Sequence, residues 1–131
     1  MPSIFTKIIN REIPGHIVAE NDHAIAFLDI RPLTKGHTLV VPKQETDYLF
    51  DLDDDVYTQL NLFAKQVAIG IKKVIPCQRI ATAVIGLEVP HAHIHLIPIN
   101  RMSDANFSNP KLELSNEAMT QVAADIRSAM E

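Results

Sequence analysis

Residues 91–98 of the chain read His91-Ala92-His93-Ile94-His95-Leu96-Ile97-Pro98, so histidine recurs at every second position beside a matching apolar series. In extended backbone, successive side chains point to opposite faces and residues i, i+2 and i+4 share one of them. A strand over 91–99 is therefore expected, with three imidazoles on one side and Ala92, Ile94 and Leu96 packing on the other. One histidine on such a strand is ordinarily a hydrogen-bonded structural residue. Three in register point to phosphate, metal or proton chemistry near neutral pH. The internal position and the interleaved hydrophobics exclude a purification tag.

The flanking sequence reads as alternating short elements. Ser3 is placed to cap a short helix carrying Ile4, Phe5, Ile8 and Ile9, closed by Pro14-Gly15. Residues 17–20 and 24–29 read as two strands turning at Asn21-Asp22, and Arg31 to Gly36 as a loop. His37-Thr38-Leu39-Val40-Val41 is a β-rich run stopped by Pro42. A longer helix should begin near Asp53, because Val56, Leu60, Phe63, Val67, Ile71 and Val74 follow at three- and four-residue steps. Asp53 to Asp55 would sit at its positive end and Lys72 and Lys73 at its negative end, with Pro76 marking the exit. A calcium loop does not fit the same acidic run, since Val56 and Leu62 stand where glycine and glutamate belong.

Residues 79–85 form a further strand candidate, and Ser115 can cap a terminal helix. The apolar face expected on that helix is thin: Ala118, Val122, Ile126 and Ala129. It suits packing on a sheet edge or a partner subunit. Strands lie mostly next to one another in sequence, with one long helix between the third and fourth, which favours an α+β domain over a βαβ alternation.

At 131 residues, 47% of them hydrophobic and 21% charged, the chain is expected to be one soluble domain over 1–131. Residues 101–131 then form a C-terminal extension ending in a helix. Cys77 is the only cysteine, which rules out an intrachain disulfide or a four-cysteine zinc cage. The formal net charge of −4 argues against broad binding to nucleic acid. No stretch approaches bilayer length, and Met1 to Lys7 lacks the apolar core of a signal peptide. A cytoplasmic protein with no nucleic-acid or membrane partner is expected.

Two chemistries suit the histidine row. Imidazoles at i and i+2 on a strand can ligate zinc, given a third ligand and an orienting second layer. That reading makes a metalloenzyme of His91, His93 and His95, with His37 or His16 as a distant ligand, but the next acid after His95 is Asp104, beyond Pro98. The second is phosphoryl or nucleotidyl transfer, in which neutral imidazole attacks phosphorus and neighbouring imidazoles hold the phosphate oxygens. Gly86 would let backbone approach the phosphate without side-chain obstruction.

His91-Ala92-His93-Ile94-His95-Leu96-Ile97 resembles the His-φ-His-φ-His-φ-φ signature of the histidine-triad (HIT) superfamily of nucleotide hydrolases and transferases. The likeness extends upstream through Ile4-Phe5 and Ile8 to Pro14, Ala26-Phe27-Leu28-Asp29-Ile30-Arg31-Pro32 and Gly36 to Lys43, covering residues 3–99 in family order. It implies an antiparallel sheet of about five strands and a homodimer formed by sheet extension. It also implies cleavage at the α-phosphate of a nucleoside 5′-monophosphate derivative, a phosphoramidate or dinucleoside polyphosphate, with release of a purine nucleoside monophosphate such as AMP.

By the same resemblance His93 is the nucleophile, His95 contacts the phosphate oxygens, His91 completes the triad and His37 orients it. Asp29 binds ribose; Ile17, Val18, Phe27, Ile30 and Leu39 wall the base; Gly86, Glu88 and Val89 border the phosphates. No cofactor is required, and a bound metal is not expected to take part in catalysis. The chain departs from the family where Leu87 and Glu88 replace a glutamine and a hydroxyl residue in a shortened loop, so its leaving-group preference is expected to differ. Besides the metalloenzyme, the altered loop leaves a non-catalytic purine nucleotide-binding module as an alternative.

Overall fold

The structure, a computed structural model, describes residues 2–131. Five strands, β1 (Ile17–Glu20), β2 (Ala24–Leu28), β3 (Thr38–Pro42), β4 (Arg79–Ala83) and β5 (Ile94–Ile99), form one sheet in the order β1-β2-β3-β5-β4. Every neighbouring pair is antiparallel. Helix α2 (Asp54–Val74) joins β3 to β4, while the shorter α1 (Ile4–Ile9) and α3 (Asn116–Ala129) lie towards the two ends of the chain. The α+β architecture is the one the sequence leads to. Among the described residues no helix is long and apolar enough to cross a membrane.

Local chemistry starts and stops the helices. Ser3, in extended backbone, accepts the Thr6 N–H through its hydroxyl at 3.0 Å and so caps α1. The helix closes before Pro14-Gly15: Arg11 takes a left-handed φ of 62°, and its guanidinium donates to the Ile9 carbonyl at 3.0 Å and to Glu20 at 2.6 Å. Helix α2 carries Asp54 and Asp55 in its first turn and Lys72 and Lys73 in its last, which complements its dipole. Ser115 caps α3 as expected, but the buried face is Met119, Val122, Ala123 and Ile126. The stripe turns away from Ala118 and Ala129 because burying Met119 removes far more apolar surface from water. This face packs on α2 and on the edge strand β1, where Arg127 donates to the free Ile17 carbonyl at 2.6 Å.

The two faces of the sheet bury different clusters. One carries Val18, Ala24, Ala26, Leu28 and Val40 against Leu60, Phe63, Val67 and Ile71 of α2 and against α3. The other carries Ile25, Phe27, Leu39 and Val41 against Phe5 and Ile8 of α1. Gly36 leads into β3 with φ +93°; a Cβ there would stand 2.9 Å from the Ile75 side chain.

The strand expected over 91–99 begins only at Ile94, so His91 and His93 precede the ladder. Pairing with β3 ends at Val40↔Ile94, because the preceding backbone finds other partners. The Ala92 N–H donates to the Thr46 carbonyl at 2.7 Å, and His91 uses the Pro42 carbonyl through its ring at 2.8 Å. The alternation nevertheless persists beyond the ladder. Ala92, Ile94 and Leu96 join the cluster beneath α2, while His91, His93 and His95 are buried on the other side, beside α1.

Candidate active site

Four buried imidazoles, His37, His91, His93 and His95, form a continuous group whose proton positions follow from their partners. The Leu33 backbone N–H donates to His37 Nδ1 at 3.0 Å, so neutral His37 carries its proton on Nε2. That N–H donates to His95 Nδ1 at 3.0 Å, which places the remaining proton of His95 on its Nε2. His93 Nδ1 lies 2.8 Å from the His91 carbonyl, an acceptor only, so in the neutral ring Nδ1 carries the proton and Nε2 keeps its lone pair. One backbone amide therefore sets a donor at His95, and one backbone carbonyl sets a nucleophilic nitrogen at His93.

His91 is held from the other end of the chain. Its Nε2–H donates to the Pro42 carbonyl at 2.8 Å, and its Nδ1 accepts the Ser3 hydroxyl at 2.7 Å. Glu45 Oε1 accepts the Ser3 N–H and the Thr6 hydroxyl, each at 2.6 Å. These bonds hold the Glu45 carboxyl below its usual range, the Ser3 N–H contributing most. Sequence reasoning reads Ser3 only as a helix cap and passes over Thr6 and Glu45. Their partners lie 88 and 39 or more residues away, beyond any local pattern.

Burial is the first cause that favours the neutral form of His37, His91 and His95. It lowers the pKa of His37 and of His91, and with the neighbouring His93 and His37 it lowers that of His95 to about 3. Asp29 opposes the shift at His37; its Oδ2 lies 3.7 Å from His37 Nε2.

Asp29, His37 and His95 also bring potential metal-ligand atoms within 4.8 Å of one another. The donor set does not suit a cation. A ligating imidazole normally donates its other N–H, whereas the other nitrogen of His37 accepts the Leu33 amide, leaving no lone pair on Nε2. His91, His93 and His95 do not converge their nitrogens as a ligand set either: Nε2 of His91 and Nδ1 of His93 are spent on backbone carbonyls.

The nucleotide-contacting positions separate into two groups. Phe27, Leu39 and half-buried Ile17 lie on the histidine side of the sheet with α1, and Val89 packs against the same cluster. Asp29 is half-buried beside His37, with Oδ1 accepting the Arg31 N–H at 2.9 Å, and Ile30 next to it is 73% exposed. Val18 does not join them. Its side chain is buried on the opposite face beneath the helices, because neighbouring residues of a strand alternate and Ile17 already faces the histidine side. Gly86, with φ +74°, lines a cavity of about 600 Å³ together with Ala92, Ile94 and Leu96, on the side away from the imidazoles. Glu88 is exposed.

The site is thus one row of buried, hydrogen-bonded histidines carried by an antiparallel sheet. The HIT domain family matches residues 10–102. An uncharacterised HIT-like protein of Borreliella burgdorferi is 36% identical over 131 residues, covering 94% of each chain. The adenosine 5′-monophosphoramidase of Saccharomyces cerevisiae is 38% identical over 96 residues, 72% of this chain and 61% of that one. Among solved structures, a Hit-like protein of Bartonella henselae superposes with a TM-score of 0.85 at 32% identity, covering 97% and 95% of the two chains. A hypothetical histidine triad nucleotide-binding protein of Sulfolobus tokodaii gives 0.85 at 30% identity, covering 96% and 90%. The chain belongs to the histidine-triad family.

The lowered histidine pKa values make stability depend on pH. The unfolded chain takes up protons as pH falls through about 6.5, which native His37, His91 and His95 take up only at lower pH. The stabilisation is whole above that value and drains away towards about 3, where His95 protonates. Thermal melts should show Tm falling from about pH 7 to about pH 5, above most carboxylate titration. A flat Tm across that interval would contradict the burial of neutral histidines.

Proposed function

We propose that the chain is a nucleotide hydrolase that cleaves at the α-phosphate of an adenosine 5′-phosphoramidate or related nucleotide and releases AMP. The observation that carries this reading is the bond from His93 Nδ1–H to the His91 carbonyl, which leaves Nε2 as an unprotonated nucleophile. His93 Nε2 attacks phosphorus as the bond from phosphorus to the leaving nitrogen or oxygen breaks, and the leaving group takes up a proton from solvent, which the later attack of water returns. His95, its ring centroid 4.9 Å from that of His93, offers Nε2–H to a non-bridging oxygen as charge develops there. Water then attacks the same phosphorus; the P–N bond to His93 breaks, freeing AMP and neutral imidazole. Asp29 would bind the ribose hydroxyls, with Phe27, Leu39, Ile17 and Ile30 around the base. No step calls on a metal. The monophosphoramidase activity named for the yeast relative supports the choice of substrate.

His93→Ala should lose turnover of an adenosine phosphoramidate by at least about a thousandfold while AMP binding persists; rapid quenching of the native protein should trap the nucleotide on His93. Substantial turnover by the purified variant would remove His93 from the reaction. Glu88, exposed on the shortened loop, would repel an anionic leaving group and attract a cationic amine. Phosphoramidates of basic amines should therefore be cut faster than dinucleoside polyphosphates, and Glu88→Ser should narrow the ratio of kcat/KM between the two. An unchanged ratio rules out this electrostatic role.

Two copies are proposed to associate along β4. The sheet has two edges, and α3 with Arg127 covers β1, whereas β4 offers an unpaired edge. Beside it the 600 Å³ cavity opens among Tyr48, Phe50, Tyr57, Val84, Ile85 and Leu87, the last 88% exposed. A single chain rarely leaves so much contiguous apolar surface to water. Sedimentation should report a dimer for the native chain and a monomer for the double variant Val84→Lys, Ile85→Lys; a native monomer at micromolar concentration would overturn the assignment.

A further inference from the structure

Two phenylalanines bracket the four imidazoles. Phe5 of α1 meets His91 and His93, at ring-centroid distances of 5.8 and 4.9 Å. Phe107 meets the other pair, 4.9 Å from His95 at an interplanar angle of 74° and 6.3 Å from His37. Phe107 lies beyond residue 102, where the family match ends. It belongs to the irregular segment between a single 3-10 turn (Met102–Ala105) and α3.

That segment is tied down where it crosses the site. Lys111 Nζ donates to the Phe107 carbonyl at 2.6 Å and to the Asn109 carbonyl at 3.3 Å. Asn109 Nδ2 donates to the Ser103 carbonyl at 2.6 Å, and the Asn109 N–H to the Asn106 carbonyl at 3.0 Å. The Leu112 N–H donates to the Pro32 carbonyl at 2.8 Å. Pro32 sits in the loop that carries Asp29 and runs to His37, so the extension is pinned to the segment that supplies the relay.

We propose that Phe107 is a positioning residue: it packs edge-on against His95 and His37, excludes water from the hydrogen bond between them, and keeps His95 Nε2–H aimed at the phosphate. The inference rests on the role given to His95 above. An imidazole bonded at one nitrogen can still tilt or flip about its Cβ–Cγ bond. His37 holds Nδ1 of His95 from one direction and the His93 ring stands against it from another. Phe107 supplies the remaining wall. An apolar ring suits that place, since water there would compete for His95 Nδ1 and unlock the tautomer. The low pKa of His95, owed first to burial, agrees with such shielding.

The test compares Phe107→Ala and Phe107→Leu in the full chain, by turnover of an adenosine phosphoramidate and by nitrogen-15 NMR of the imidazoles. In Phe107→Ala, kcat should fall roughly ten- to a hundredfold, with AMP affinity within about twofold, and the acid limb of the kcat profile should move to higher pH. The His95 nitrogen signals should lose their single-tautomer pattern. Phe107→Leu, which restores an apolar cover, should recover most of kcat and the native signals. An unchanged kcat and tautomer in Phe107→Ala, or a loss confined to KM, would overturn the proposal. The NMR measurement needs no substrate, so a native protein that fails to turn over the phosphoramidate would refute the proposed activity while leaving the role of Phe107 to be decided by the His95 signals.

Discussion

The hydrogen bond from the Leu33 amide to His37 Nδ1 governs more of this molecule than its size suggests. A buried neutral imidazole can donate at one nitrogen only, so fixing one ring fixes the next. From Leu33 the order passes through His37 to His95 and ends on an N–H available to an incoming anion. If His37 were flipped, His95 would meet a lone pair with its own lone pair and one proton would have to move. The loop from Asp29 to Gly36 is thus more than a connection: its backbone sets the polarity of the site.

The remaining two histidines are governed from the amino-terminal side. Ser3 caps α1 with one lone pair and donates its proton to His91, so starting the helix and orienting the ring are one event. His91 in turn lends its carbonyl to His93. Glu45, reached by the chain just after β3, fastens Ser3 and Thr6 together. The row is therefore clasped at one end by α1 and at the other by the segment preceding α3, with the sheet beneath it.

Much of the fold was legible because its signals are local and periodic. The apolar steps of α2, the caps at Ser3 and Ser115, and the alternation through the histidines each depend on residues a few positions apart. What escaped depends on partners distant in sequence. The ladder of β5 starts late because Thr46 and Pro42 claim the backbone and ring ahead of it, and Ala19 joins Val18 on the helix side because a bulge in β1 changes the count. On α3, Val122 and Ile126 are buried as expected, but Met119 and Ala123 join them in place of Ala118 and Ala129, since a stripe drawn through alanines ignores the larger Met119 beside it. Within the site the four histidines and Asp29 could be read from their spacing and family likeness. Ser3, Thr6, Glu45 and Phe107 could not, because nothing in their own neighbourhood marks them as belonging to it.

The bonds that lock the imidazoles span 2, 4, 49, 58 and 88 residues of chain. Three of the five are thus long loop closures, whose entropy must be met before the bond itself contributes anything. Local helices and hairpins can form early, yet the bonds that order His91 and His95 lie outside them. Those two rings are fixed only when amino-terminal cap, central loop and last strand have met. The order of the histidine row is in that sense a signature of completed folding: a partly assembled chain on the ribosome carries all the imidazoles and only the local part of their order.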